Sequence, residues 1–160
     1  MECNIHFSLG DGDLGKWMSN LANAGITVPE DGYFRSIESY WYWLSISEEC
    51  ETRDDLRYMY GHECKKYGSK LRAEFPNGVT SKCPLYRDKI CTAVKIKIAN
   101  HQDIRKAFVD FDGTFTHYMY KGGQEINMAR NCQWWLDFLN KFNRAVKMWG
   151  EDNTLSRYEY

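Results

Sequence analysis

The sequence contains no apolar run approaching the roughly 20 residues that a membrane-crossing helix requires, so no membrane span is expected. Only three of its 160 residues are proline. Internal repeats, low-complexity tracts and linkers rich in Pro and Ser are all missing, which argues against a string of tethered modules. Neither sign of charge is in excess, with 21 Lys and Arg against 22 Asp and Glu. A polyanion partner would therefore have to be met by clustered cations, and the order of residues shows no strong cluster and hence no strong nucleic-acid signature. The six cysteines include no C-x-x-C pair. The single ligand-like spacing, His62-x-Cys64, lacks a matching second pair. No metal and no other cofactor is expected, and the thiols read as buried or idle. The opening residues, Met1–Gly10, have no apolar core of the kind a secretory signal needs, so the expected location is cytoplasmic, where thiols stay reduced.

What the chain does have is apolar surface: 43% of residues are hydrophobic and 16% aromatic, enough to exclude disorder and to build a core. Residues 3–8 suit a short strand, and residues 10–34, rich in Gly, Asp and Asn, suit a loop with short extended pieces. Ser36 is placed to cap a helix carrying Ile37, Tyr40, Trp41 and Leu44 at helical spacing. A second helix is expected to follow a capping-box variant at Thr52–Asp55, with Leu56, Met59, Tyr60, Cys64, Tyr67 and Leu71 as its stripe. Residues 93–98 are ambiguous. Their alternation of Val94, Ile96 and Ile98 with Lys95 and Lys97 is a strand pattern with a solvated lysine face, yet a helix from Pro84 also fits. Asn100-x-x-Asp103 offers a cap for the next helix, residues 114–120 a strand ended by Gly122-Gly123, and residues 131–149 a long amphipathic helix whose stripe includes Trp149. The expected architecture is α+β: a predominantly helical single domain over residues 1–150 with a small antiparallel sheet, then a loose polar tail over 151–160.

One motif invites a specific chemistry. Asp110-Phe111-Asp112-Gly113-Thr114 spells the D-x-D-G-T nucleophile motif of haloacid-dehalogenase-like phosphatases, in which the first Asp attacks phosphorus at the end of a strand beside magnesium. That fold needs several further strands with a Ser/Thr, a Lys and an acidic pair, and the 44 or so residues left here read mostly as one helix. The competing reading is a tight turn at Asp112-Gly113.

A second set of motifs covers more of the chain. Trp17-Met18-Ser19-Asn20-Leu21, Phe34-Arg35-Ser36-Ile37-Glu38-Ser39-Tyr40-Trp41, Cys64-Lys65-Lys66-Tyr67-Gly68, and Lys97-Ile98 with Asn100 and Ile104 follow one another in order. Together they resemble the L-S-N-F, F-x-S-V-E-H, A-K-x-x-G and K-F-x-x-N-x-x-L motifs of the NADAR (YbiA-like) family, in the form of a divergent tailed-bacteriophage member. The chain departs from that pattern at Ser39, where the family has His, and at Tyr86, where it has Trp. The late D-x-x-W-G signature has only Asn127, Trp134 and Trp135 as nearest candidates.

The resemblance implies an N-glycosidase or ADP-ribosyl hydrolase cleaving a ribosyl C–N bond of a nucleotide-type or ADP-ribosylated substrate, in the host cytoplasm if the chain is phage-encoded. A carboxylate beside the anomeric carbon stabilises an oxocarbenium-like cation and activates water. The resemblance gives that role to Glu38, with Asn20 on the ribose or the water. Trp17 and Tyr86 are candidate stacking partners for the base, Ser19 lines the substrate, and Arg35, Lys16 and Lys65 are candidate phosphate contacts. At the second position of a helix, the dipole is expected to keep Glu38 ionised, which suits a charge stabiliser better than a general acid. The plainer alternatives are a first-turn helix acid for Glu38, a turn former for Asn20, and core packing for Trp41, Trp43, Trp134 and Trp135. His101 and His117 receive no role. A catalytically silent protein that binds a nucleotide or a host protein on the same fold is the alternative function, and the phosphatase the third.

Overall fold

The computed structural model describes residues 1–160 and is mixed α+β, predominantly helical. The chain divides into two compact units. The first is Met1–Ser19 with Ile98–Glu159, and the second is Asn20–Lys97 with Tyr160. No helix is long and apolar enough to cross a membrane.

In the first unit, β1 (Glu2–Asn4) pairs in parallel with β4 (Thr114–Thr116); in place of one small antiparallel sheet the chain has three separate two-stranded sheets, this parallel one and two that are antiparallel as expected. The strand expected over 114–120 is broken at His117. Its second part, β5 (Tyr118–Lys121), turns at Gly122-Gly123 into β6 (Gln124–Asn127) as a separate antiparallel hairpin. Both glycines have positive φ, 58° and 79°, which is what a two-residue hairpin turn demands. Helices α1 (Gly12–Met18), α5 (Gln102–Asp110) and α6 (Gln133–Trp149) complete the unit. Its core is a run of phenylalanines: Phe111 lies 4.7 Å from Phe115, which stacks on Phe108 at 5.7 Å, and Phe108 meets Phe142 at 5.8 Å. Asn140 of α6 closes the free edge of β4, accepting from the Phe115 N–H at 2.7 Å and donating to its carbonyl at 3.2 Å.

Two expectations change at the end of this unit. Trp149 is 64% exposed and lies off the buried stripe of α6. The segment after Gly150 is an ordered clasp, α7 (Glu151–Leu155) followed by a 3₁₀ turn (Ser156–Tyr158), with Leu155 fully buried. Arg105 holds it through Glu151 at 2.6 Å, and Asn100 donates to the Tyr158 carbonyl at 2.8 Å instead of capping α5.

The second unit contains the antiparallel pair β2 (Ile26–Val28) and β3 (Gly32–Phe34), then α2 (Ile37–Ser45), a 3₁₀ turn (Arg53–Tyr58), α3 (Gly61–Glu74) and α4 (Pro84–Asn100), whose last turn belongs to the first unit. The second helix of the sequence reading is thus two elements. The chain is extended at Met59 and restarts at Gly61 with φ 69°, a conformation that glycine adopts without strain. Residues 93–98 are helical. Ala93, Val94, Ile96, Lys97 and Ile98 are all buried, so no 3.6-residue stripe survives to mark the helix. Lys97, expected on a solvated face, is 1% exposed, and burial lowers its pKa to about 7.

Candidate functional site

The site forms where α2 begins. Ser36 is its N-cap in extended backbone, and its Oγ accepts from the Ser39 N–H at 3.0 Å. Ser39 answers with its own Oγ, 3.3 Å from the Ser36 N–H, so a serine completes the capping box where Glu or Gln is usual. The Ser36 hydroxyl also donates to the Met59 carbonyl at 3.0 Å, tying the start of α2 to the segment that leads into α3. Both serines are fully buried.

Glu38 is then the second residue of α2, and its N–H donates to the Asn20 carbonyl at 2.8 Å. This satisfies one of the orphan donors of the helix start and fixes Asn20 against Glu38. The Oδ1 of Asn20 is buried and has no hydrogen-bond partner, an acceptor waiting for a donor from a ligand or water.

The residue Glu38 is partly exposed, but its carboxyl is enclosed. Burial raises its pKa from 4.5 to about 7, against the opposing pull of Lys65 and then Arg72. Desolvation therefore outweighs the two cations, where position in the helix alone suggested a firmly ionised carboxylate. A carboxyl balanced near neutrality can take or give a proton at physiological pH.

Around this carboxyl the helices supply a mixed wall. Glu38, Trp41, Tyr42 and Ser45 fall at helical spacing on one face of α2. The Tyr42 hydroxyl lies 3.0 Å from Ser69 Oγ, and the Arg72 guanidinium sits 4.9 Å over the Tyr42 ring. Gly68 permits this approach: a Cβ there would lie 2.4 Å from Tyr42 Cγ. Burial also drives the Cys64 thiol up to about 12, with the Glu38 charge as the next contribution, so Cys64 is an inert neighbour.

The expected site residues divide. Glu38 and Asn20 come together, with Lys65 among the charges that act on Glu38. Tyr86 is fully buried, donates to the Trp41 carbonyl at 3.4 Å and meets the Trp41 ring edge-on at 5.3 Å. It cannot offer a face to a base, which corrects its assignment as a stacking partner. Trp41, expected in the core, keeps part of its surface exposed. Arg35 is engaged elsewhere: Nε donates to Asn23 Oδ1 at 2.9 Å, Nη1 to the Tyr58 carbonyl at 3.4 Å, and the guanidinium lies 4.6 Å over Tyr60. Trp17 and Ser19 belong to the first unit, Trp17 half-buried on α1 and Ser19 buried at its C-cap, with its N–H donating to the Lys16 carbonyl at 3.3 Å. Sequence reasoning missed Tyr42, Ser69 and Arg72. Lys65, Ser69 and Arg72 follow i, i+4, i+7 spacing, so a helical-face reading of α3 would have joined them.

The D-x-D-G-T stretch has a different setting. Asp110 is the exposed last residue of α5, and Asp112 lies exposed in the following turn, ahead of β4. The nucleophile of that phosphatase motif needs the carboxyl end of a strand, and here a helix ends instead.

No family model, no curated protein and no solved structure matches this chain.

Proposed function

We propose that the second unit is the catalytic part of a NADAR-like N-glycosidase or ADP-ribosyl hydrolase that cleaves a ribosyl C–N bond of a nucleotide-type substrate in the cytoplasm. The observation that carries this reading is the pairing of Glu38 with Asn20 at the head of α2, where the Glu38 N–H donates to the Asn20 carbonyl at 2.8 Å and the buried Asn20 Oδ1 is left without a partner. In its ionised form Glu38 stabilises positive charge developing at the anomeric carbon and accepts a proton from the attacking water. The C–N bond breaks, a C–O bond to water forms, and the departing nitrogen takes its proton from solvent. Lys65 and Arg72 attract the phosphate. Trp41 provides the apolar wall, and Asn20 Oδ1 accepts from a ribose hydroxyl or from the water.

The test is release of free base or ADP-ribose from nucleotide and ADP-ribosylated substrates by the wild type and by Glu38→Gln. Turnover by the wild type and its loss in the variant is expected, with kcat/KM rising as pH passes through about 7. Equal turnover by both would remove Glu38 from the mechanism.

A silent nucleotide- or host-protein-binding role on the same fold is the second reading. Ser39 favours it, since this position carries His in the family resembled and is fully spent here on helix capping. Binding of nucleotide without turnover by the wild type is what this reading predicts.

A further inference from the structure

The second unit holds a further cleft that the hydrolysis reading does not use. Leu85, Asp88, Lys89 and Thr92 recur at i, i+3, i+4 and i+7, so they share one face of α4. That face and the turn Pro29-Glu30-Asp31, which joins β2 to β3, line an open cleft of about 240 Å³. Tyr40 of α2 lines it as well. Glu38 and Tyr40 are two residues apart, about 200° around the helix axis, so the cleft lies on the other side of α2 from the Glu38 site. Its volume falls below the roughly 300–1,000 Å³ usual for drug-sized ligands, so it suits a small metabolite.

The polar groups of the cleft are held in place in advance. Lys89 Nζ donates to Glu30 Oε2 at 3.1 Å and to Asp31 Oδ2 at 3.0 Å, and the Tyr40 hydroxyl donates to the same Asp31 oxygen at 2.6 Å. Arg57, which does not line the cleft, fixes the turn by donating to the Asp31 carbonyl at 2.6 Å. An ammonium carries three protons, so Lys89 keeps one for a ligand. Two carboxylates keep spare acceptor capacity: Glu30, whose side chain is 82% exposed, and Asp88, which is exposed. The apolar part of the lining is Val28, Pro29 and Leu85, and Leu85 is 55% exposed.

Simpler occupants each leave a charge unmet. A metal ion would lack its cage, because no three acids converge. A phosphate or a plain carboxylate would meet Lys89 but face Glu30, Asp31 and Asp88. A plain amine would meet the acids but face the Lys89 charge. A zwitterion uses both signs. We infer that this cleft binds a free α-amino acid with an apolar side chain. Its carboxylate takes the remaining Lys89 proton, its ammonium lies between Glu30 and Asp88, and its side chain covers Val28, Pro29 and Leu85. Charge-assisted hydrogen bonds of both signs fix the orientation, and apolar burial adds affinity. No turnover is required and no residue of the Glu38 site takes part, so the inference stands apart from the hydrolysis reading.

Isothermal titration calorimetry of the full chain with leucine, valine, methionine and phenylalanine tests it. At least one of the four should bind saturably at millimolar concentration or below. For leucine the controls are 4-methylpentanoate, which lacks the amine, and 3-methylbutylamine, which lacks the carboxylate; for any other amino acid they are its own deaminated and decarboxylated analogues. Each analogue should bind about tenfold more weakly or worse, since each forfeits hydrogen bonds to a charged group. Lys89→Gln should weaken the amino acid by a similar factor. Asp88→Asn should weaken the amino acid and leave the deaminated analogue unweakened, closing the gap between them. Glu38→Gln should bind the amino acid like the wild type. Circular dichroism of each variant establishes that it is folded. Absence of saturable binding by all four amino acids overturns the inference. So does an analogue that binds as tightly as its amino acid, and so does wild-type affinity in folded Lys89→Gln or Asp88→Asn.

Discussion

Two acidic motifs in this chain lead to opposite ends. Asp110 and Asp112 spell a well-known nucleophile signature, yet both carboxyls stand in solvent where α5 stops. Glu38 sits in a plainer stretch, Ser-Ile-Glu-Ser, and its carboxyl is enclosed by α2 and α3 until burial lifts its pKa to about 7. The contrast teaches that a carboxyl's proton affinity follows from its burial and neighbouring charge, which a run of letters does not encode. The carboxyls at the end of α5 stand exposed, whereas the head of α2 packs against a helix that brings Lys65 and Arg72 to bear on Glu38.

The largest expected effect separates the two motifs by activity. Glu38→Gln should lower turnover by roughly 10²–10⁴-fold, the range of a lost acid–base group, whereas Asp110→Asn and Asp112→Asn should leave it as in the wild type. Loss of activity in the aspartate variants would restore the phosphatase motif and break the comparison.

Stability against pH is the next measure. The folded pKa of Glu38 is raised, so the folded state holds the proton more tightly than the unfolded chain. Its contribution is fully present below pH 4.5 and is lost as pH climbs to about 7. The shift corresponds to about 3 kcal/mol, which Glu38→Gln should recover as a Tm several degrees above wild type at pH 8, with little difference at pH 4. Lys97, with its pKa lowered from 10.5 to about 7, gains stability as pH rises above 7, outside that window. A flat difference between variant and wild type across this range would show that the Glu38 carboxyl is not enclosed.

Packing around Glu38 can be loosened from the other helix. Gly68→Ala sets a Cβ against the Tyr42 ring and should cost about 1–3 kcal/mol by denaturant unfolding, weakening nucleotide binding as Arg72 shifts. The smallest effect belongs to the solvated motif. Asp110→Asn removes a negative charge from the C-terminus of α5, where the helix dipole disfavours it, and should stabilise by a few tenths of a kcal/mol.

How much of this was legible depended on how evenly each element is buried. The head of α2 was readable because a polar cap, Ser36, directly precedes apolar residues at helical spacing, even though most of the helix is buried. Helix α4 hid itself, since burial on every side of residues 93–98 erased the period and left an alternation that imitates a strand. The break between the 3₁₀ turn and α3 was invisible because it rests on a distant partner, the Ser36 hydroxyl, taking the Met59 carbonyl. The C-terminal clasp looked like a tail because its anchors, Arg105 and Asn100, lie far away in sequence. In the candidate site, Glu38 and Asn20 were named together through a resemblance and lie side by side, while Arg72 and Tyr42 were missed because only the approach of α3 to α2 makes them neighbours.

The double duty of Ser36 also restricts what the position can hold. Its oxygen receives one proton and gives another, so aspartate and asparagine, elsewhere the equals of serine at a helix start, do not fit in the same way. Aspartate would turn a negative oxygen toward the Met59 carbonyl, two residues from a carboxyl already short of solvent. Among the common capping residues only a hydroxyl serves both neighbours from a single atom, so serine and threonine suit this fully buried position best.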